Sequence, residues 1–216
     1  MILMPAVSPS FSPVIFVTLV VMFAASVAIY ALLVRRWTTH RNWVSLTDWA
    51  CERRMKLAKD LSQLPPPIDR IADRRPVVRL RVDDPQSGTA IVQFQTDPVP
   101  EMTGSGQEPC WNVLIRRLPR QHAPAALRPM RVANSVVELF RLTPFHGLSN
   151  DRFGVMAIDG RTAQRLAMSS ARALLPADVG LLVHEEWMML DFSARPFDPI
   201  ELDRMLSVAE QVSGIA

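Results

Sequence analysis

The chain has 216 residues, of which 49% are hydrophobic and 21% charged, a composition that excludes an acidic or low-complexity disordered chain. The formal net charge of +3 is unevenly divided: residues 35–131 carry 17 basic and 10 acidic side chains, residues 132–216 carry 7 and 11. Arginine supplies 22 of the 24 basic residues, a bias better ascribed to GC-rich coding than to phosphate recognition. Cys51 and Cys110 stand at no metal-like or redox-like spacing and are expected as free thiols.

Residues 14–34 form a run of 21 uncharged residues between Pro13 and Arg35. As a helix rising about 1.5 Å per residue it is long enough for a hydrocarbon core of about 30 Å. No basic residue precedes it, so a cleaved signal peptide is disfavoured and a single transmembrane helix is expected. Arg35, Arg36, Arg41, Arg53 and Arg54 follow it, which by the positive-inside rule puts residues 1–13 outside and the remainder in the cytoplasm. Tyr30, Arg35, Arg36, Trp37 and Trp43 are the expected membrane-interface residues. The expected localisation is a bacterial inner membrane, crossed once.

Residues 35–67 read as a basic juxtamembrane segment. Within it, 45–64 spaces Leu46, Trp49, Ala50, Leu57, Leu61 and Leu64 along one face of an amphipathic helix. Pro65, Pro66 and Pro67 are expected to stop it. Such a helix can lie on the inner leaflet or pack on the following domain.

A domain is expected over 68–216. It opens with Arg75-x-x-x-Arg79, preceded by Arg74, which resembles the arginine motif of PilZ domains. That resemblance implies a cyclic dinucleotide held through its phosphates and bases by guanidinium groups. The second PilZ motif, Asp-x-Ser-x-x-Gly, is not found; Asp84-Pro85-Gln86-Ser87-Gly88 has another spacing.

Short alternating runs at 77–82, 89–95, 111–118, 135–142 and 152–158 read as strands with one buried face, and the stretches 97–109 and 119–129 as Pro-rich exposed loops. Residues 160–175 have helical spacing, opened by Asp159 and stopped at Pro176, and 180–194 read as a strand pair bent at His184-Glu185-Glu186. Asp198-Pro199-Ile200-Glu201 then supplies an N-cap acceptor, a proline at the first helical position and a glutamate at the third. Phe197 is expected to staple onto this last helix and Arg195 to approach Asp198 or Asp203. The fold class that follows is a single N-terminal transmembrane helix plus a cytoplasmic α+β domain, with a mostly antiparallel sheet of about seven strands and two helices on one face.

No catalytic, cofactor or metal residue is assigned. His184-Glu185-Glu186 lacks the second histidine of a zinc helix, the four histidines are scattered, and neither Gly-x-Gly-x-x-Gly nor Gly-x-x-x-x-Gly-Lys occurs. Ser169, Ser170, Asp159 and His184 lack the Gly-x-Ser-x-Gly elbow of a hydrolase. Arg116, Arg117, Arg120, Arg128 and Arg131 lie in a stretch from Pro109 to Val137 without an acidic residue, the candidate interaction surface for a partner protein or anionic lipid. Nucleic acid is not expected, because Trp111 alone is there to stack on bases. Nothing supports a homo-oligomer beyond one Ala24/Ala28 small-residue pair. The expected function is a membrane-anchored, non-catalytic scaffold or assembly module that contacts the bilayer and another protein. The alternatives are an enzyme with an unfamiliar site and a nucleotide sensor using Arg74, Arg75 and Arg79.

Overall fold

The computed structural model describes residues 13–71, 76–96 and 110–214, with the backbone alone given for 13–16, 18, 19 and 31–43. The chain divides into a first unit ending at Ser45 and a second unit, Leu46–Ala216.

Helix α1 runs unbroken from Pro13 to Glu52, 40 residues. The apolar run is therefore not an element of its own: the same helix carries on through Arg35 and Arg36 to Glu52. Among the described residues no helix is long and apolar enough to cross a membrane. This overturns the transmembrane helix expected over 14–34, and with it the single-pass inner-membrane localisation and the orientation drawn from it. The interface role expected for Tyr30, Arg35, Arg36, Trp37 and Trp43 rested on that span. Tyr30 is exposed, and the side chains of the other four lie outside the described residues.

The helix also does not run on to the prolines. Arg54 adopts a left-handed φ of 58°, and the Met55 amide reaches back to the Ala50 carbonyl at 2.8 Å while Arg53 donates to Trp49 at 3.1 Å. This six-to-one closure, with Met55 and Ala50 both buried, is a Schellman stop. Beyond it β1, Lys56–Leu57, pairs with the sheet, and the chain passes around that edge so that Leu61, Leu64, Ile68 and Ile71 pack on the far face.

Among the described residues the sheet is antiparallel and seven-stranded, in the order β1-β2-β3-β4-β6-β5 with β7 also on β4. The remaining strands are β2 (Val77–Asp84), β3 (Thr89–Gln95), β4 (Cys110–Pro129), β5 (Thr143–Pro144), β6 (Phe153–Ala157) and β7 (Gly180–Asp191). β4 is 20 residues long. β7 follows it from Val113 to Leu127, while β3 pairs with its first half and β6 with its last residues. A strand has two edges, so β7 takes one, and β3 and β6 share the other.

Both faces are buried, which accounts for nearly continuous apolar runs where one-sided alternation was expected. On one face Leu80, Ile91, Leu114 and Leu190 pack with Trp49 of α1 and with α2 (Gly160–Met168), α3 (Ala171–Leu174) and α4 (Pro199–Ser213). On the other, Val92, Phe94, Trp111 and Ile115 are covered by Ile68, Ile71, Val136 and Val137.

Four further segments differ from their sequence reading. Residues 119–129 belong to β4, because prolines are accommodated where the strand bulges: Arg117 pairs with Trp187 and His122 with Glu185, so Leu118–Gln121 stand opposite Glu186 alone. Glu185 answers with a left-handed φ of 54°, and β7 is one continuous strand. Residues 136–140 form a 3-10 helix, not a strand. The buried Asp191 carboxylate captures this segment, accepting from the Ser135 hydroxyl at 2.6 Å and the Val136 amide at 2.8 Å, and from the Ser193 hydroxyl at 2.6 Å. The helical stretch after Asp159 is split at Ser169 into α2 and α3.

Asp191→Ala leaves buried donors without an acceptor and is predicted to lower unfolding stability by about 3 kcal/mol in urea denaturation. A Cβ at Gly180 would stand 3.2 Å from Asp191 Cβ, Ser135 Oγ and Val137 Cγ2, so Gly180→Ala is predicted to cost about 1–2 kcal/mol through overpacking. Wild-type stability in both variants would contradict this account of the junction.

Candidate functional site

The five arginines singled out from the sequence do not converge. Arg116 and Arg117 are neighbours on β4 and so point to opposite faces. Arg117 binds the Glu186 carboxylate at 2.8 Å; the Ser87 hydroxyl, then the Gln86 and Ser87 amides and last the Arg116 charge hold the Asp84 carboxyl below its usual range against burial. Arg128 is absorbed by the fold: it pairs with Glu138 and donates to the Ala133 carbonyl at 3.3 Å. Arg120 and Arg131 are exposed and make no ion pair among the described residues. Two of the five are thus paired with carboxylates that lie outside the acid-free stretch.

The other candidates are similarly dispersed. Arg79 donates to the Gln95 carboxamide at 2.7 Å, while Arg74 and Arg75 lie outside the described residues. Asp159 caps α2, accepting from the Thr162 amide at 2.8 Å and hydroxyl at 2.9 Å. Ser169 donates to the Leu166 carbonyl at 2.7 Å. Glu185 and Glu186 serve different arginines, Arg70 at 2.5 Å and Arg117. Among the described residues no group of three or more His, Cys, Asp or Glu side chains is placed to hold a metal ion.

A cavity of about 350 Å³ does form, where the bulge of β4 meets the helical layer. Its walls are Ala125, Leu166, Ala171, Leu181, Val183 and Val212, and polar side chains enter from Gln121, His122, Thr162, Arg165 and Ser169. Two devices build it. Thr162, Arg165, Leu166 and Ser169 fall at i, i+3, i+4 and i+7, which puts them on one side of the helical turn that Asp159 caps. The bulge carries Gln121 and His122 out of regular register with β7. His122 Nε2 is buried without a partner. Burial, and beyond it the Arg120 charge, hold that imidazole below its usual range, so it is neutral at pH 7. The cavity escaped the sequence reading because His122 stood in a presumed loop; the available signal was the mixed polar and apolar stripe of α2.

A second polar cluster fixes α4. Arg195 places Nε and Nη2 on the two Asp178 oxygens at 2.9 and 2.6 Å and Nη1 on Glu201 at 2.5 Å, in place of the expected Asp198 or Asp203. Asp198 accepts from the Glu201 amide at 2.9 Å as the N-cap, Asp203 instead takes the Trp49 indole at 2.7 Å and Arg53, and Phe197 stacks on Phe192. Burial pushes the Asp178 carboxyl up, but the Arg195 hydrogen bond and charge outweigh it and the net shift is downward. A depressed carboxyl stabilises the fold above its unfolded pKa of about 3.9 and loses that contribution as pH falls through the folded value. Arg195→Met strands two carboxylates and is predicted to cost about 2–3 kcal/mol at pH 7. The deficit relative to wild type should shrink below about pH 4, read by urea denaturation across pH; a deficit independent of pH would contradict the assignment.

No family model matches the chain, and no curated protein matches it. Among solved structures it is similar to the crystal structure of the mycobacterial trehalose monomycolate transport factor A, TtfA, with 12% identity, a TM-score of 0.41, and coverage of 79% of this chain and 91% of that one. A likeness of that size leaves architecture and role to be read from this chain's own residues.

Proposed function

We propose that this chain is a non-catalytic binding protein, a scaffold or assembly module whose partner is another polypeptide. The observation that carries this reading is the exposed apolar surface of α1. Val20, Val21, Met22 and Phe23 are 51%, 61%, 63% and 73% exposed, and Val27, Ile29 and Tyr30 are exposed as well. Four successive exposed residues lie around the whole circumference of a helix, and apolar surface that extensive marks an interaction site.

The ionisable groups of the second unit support the same reading. Arg53, Arg70, Arg117, Arg128 and Arg195 are each engaged with a carboxylate of the fold. The Arg53, Arg70 and Arg117 pairs join segments far apart in sequence and so serve the architecture; catalytic sites instead converge such groups around one reacting position.

Purification of the tagged full-length chain from its own cells is expected to bring down a stoichiometric second polypeptide. Replacing Val20, Phe23, Val27 and Tyr30 together by Ser removes one apolar stripe and is predicted to reduce that recovery at least tenfold without changing the fold of Leu46–Ala216. Recovery of the chain alone, or equal recovery by the variant, would refute the reading.

A further inference from the structure

We propose that the cavity lined by β4, β7 and the helical layer, open at one side, binds a small amphiphile with an anionic head, of the medium-chain carboxylate class. This goes beyond the polypeptide-binding reading and rests on different residues.

Size and wall chemistry set the body of the ligand. A volume of about 350 Å³ is at the lower end of small-molecule sites. Ala125, Leu166, Ala171, Leu181, Val183 and Val212 offer water no hydrogen bonds, so replacing water there by an alkyl chain is favourable. Alanine at 123, 125 and 171 is what keeps the space open, since a larger side chain on β4 or α3 would fill it.

The charge at the cavity sets the head. Arg165 is the one charged side chain among the lining residues, and no carboxylate lines the space. Arg165 is exposed and makes no ion pair among the described residues, in contrast to the engaged arginines of the same unit. Its planar fork matches a carboxylate through two parallel hydrogen bonds. The Thr162 and Ser169 hydroxyls are already donating, to Asp159 and to the Leu166 carbonyl. They present lone pairs to the cavity and do not hold an anion, which leaves Arg165 and the Gln121 amide to do so. His122 adds wall without charge, and Asp159, the acidic group nearest in sequence on α2, is turned to its own helix terminus.

The test is a titration of the methyl-labelled full-length chain with decanoate, kept below its micelle concentration, followed by nuclear magnetic resonance. Saturable shifts are expected at the methyls of Leu166, Leu181, Val183 and Val212. Arg165→Gln, a substitution at an exposed position, should weaken the dissociation constant about tenfold, and decanol should bind wild type about tenfold more weakly than decanoate. Ala123→Trp, also at an exposed position, should close the mouth and abolish the shifts. The proposal is overturned by decanoate failing to saturate, by shifts confined to Val17–Val27, or by affinity that neither substitution alters.

Discussion

Strand β4 is the constraint on which the second unit depends. Its two ends, Trp111–Ile115 and Ala125–Leu127, are buried on both faces of the sheet, so the amides and carbonyls there have to be satisfied within the sheet. β3 and β6 divide one edge and β7 takes the other. Hairpin partners alone cannot meet that demand, because β7 arrives from more than fifty residues downstream. The Ser135-Asp191-Ser193 cluster sits where this distant strand ends, and it anchors the segment covering the second face to the strand that closes the first. Removing the pairing of β7 would therefore expose both cores together.

The same strand creates the cavity. Where β4 holds four residues opposite one, the ladder cannot remain regular, and Glu185 takes a left-handed conformation that few non-glycine residues adopt. The irregularity sits under the junction of α2 and α3, where Ser169 interrupts the helix. Small side chains on each side leave space that neither layer fills. The cavity is thus a product of mismatch between layers, and its polar content comes from the bulge and from one face of α2.

Much of the fold was legible locally, and what was missed was set by distant contacts. The α4 start at Asp198-Pro199 was readable because an N-cap acts over three residues, and the strands at 77–82 and 89–95 because each repeats within a few residues. The apolar spacing of Leu46, Trp49 and Ala50 was correctly placed on one face. The helix nevertheless ends at Glu52, since Met55 closes back on Ala50 and Lys56–Leu57 pairs with the edge of the sheet. Residues 119–129 were misread because Pro119, Pro124 and Pro129 argue against a strand unless a bulge exists to receive them. Residues 135–142 were misread because the carboxylate that captures them lies at Asp191. For the arginines the same limit holds in part: Arg117 is paired with the distant Glu186 and Arg128 with Glu138, while Arg120 and Arg131 make no ion pair among the described residues.

On the function proposed above, the exposed apolar surface of α1 meets another polypeptide, while Arg53, Arg70, Arg117, Arg128 and Arg195 are paired within the second unit's own fold. The most direct measurement places a photo-crosslinking benzoylphenylalanine at Phe23 of the full-length chain in living cells and identifies the product by mass spectrometry. A single discrete adduct carrying a second polypeptide, absent when the crosslinker is placed at exposed Ile200, is the predicted result. A photoproduct at Phe23 that carries no second polypeptide would contradict the account.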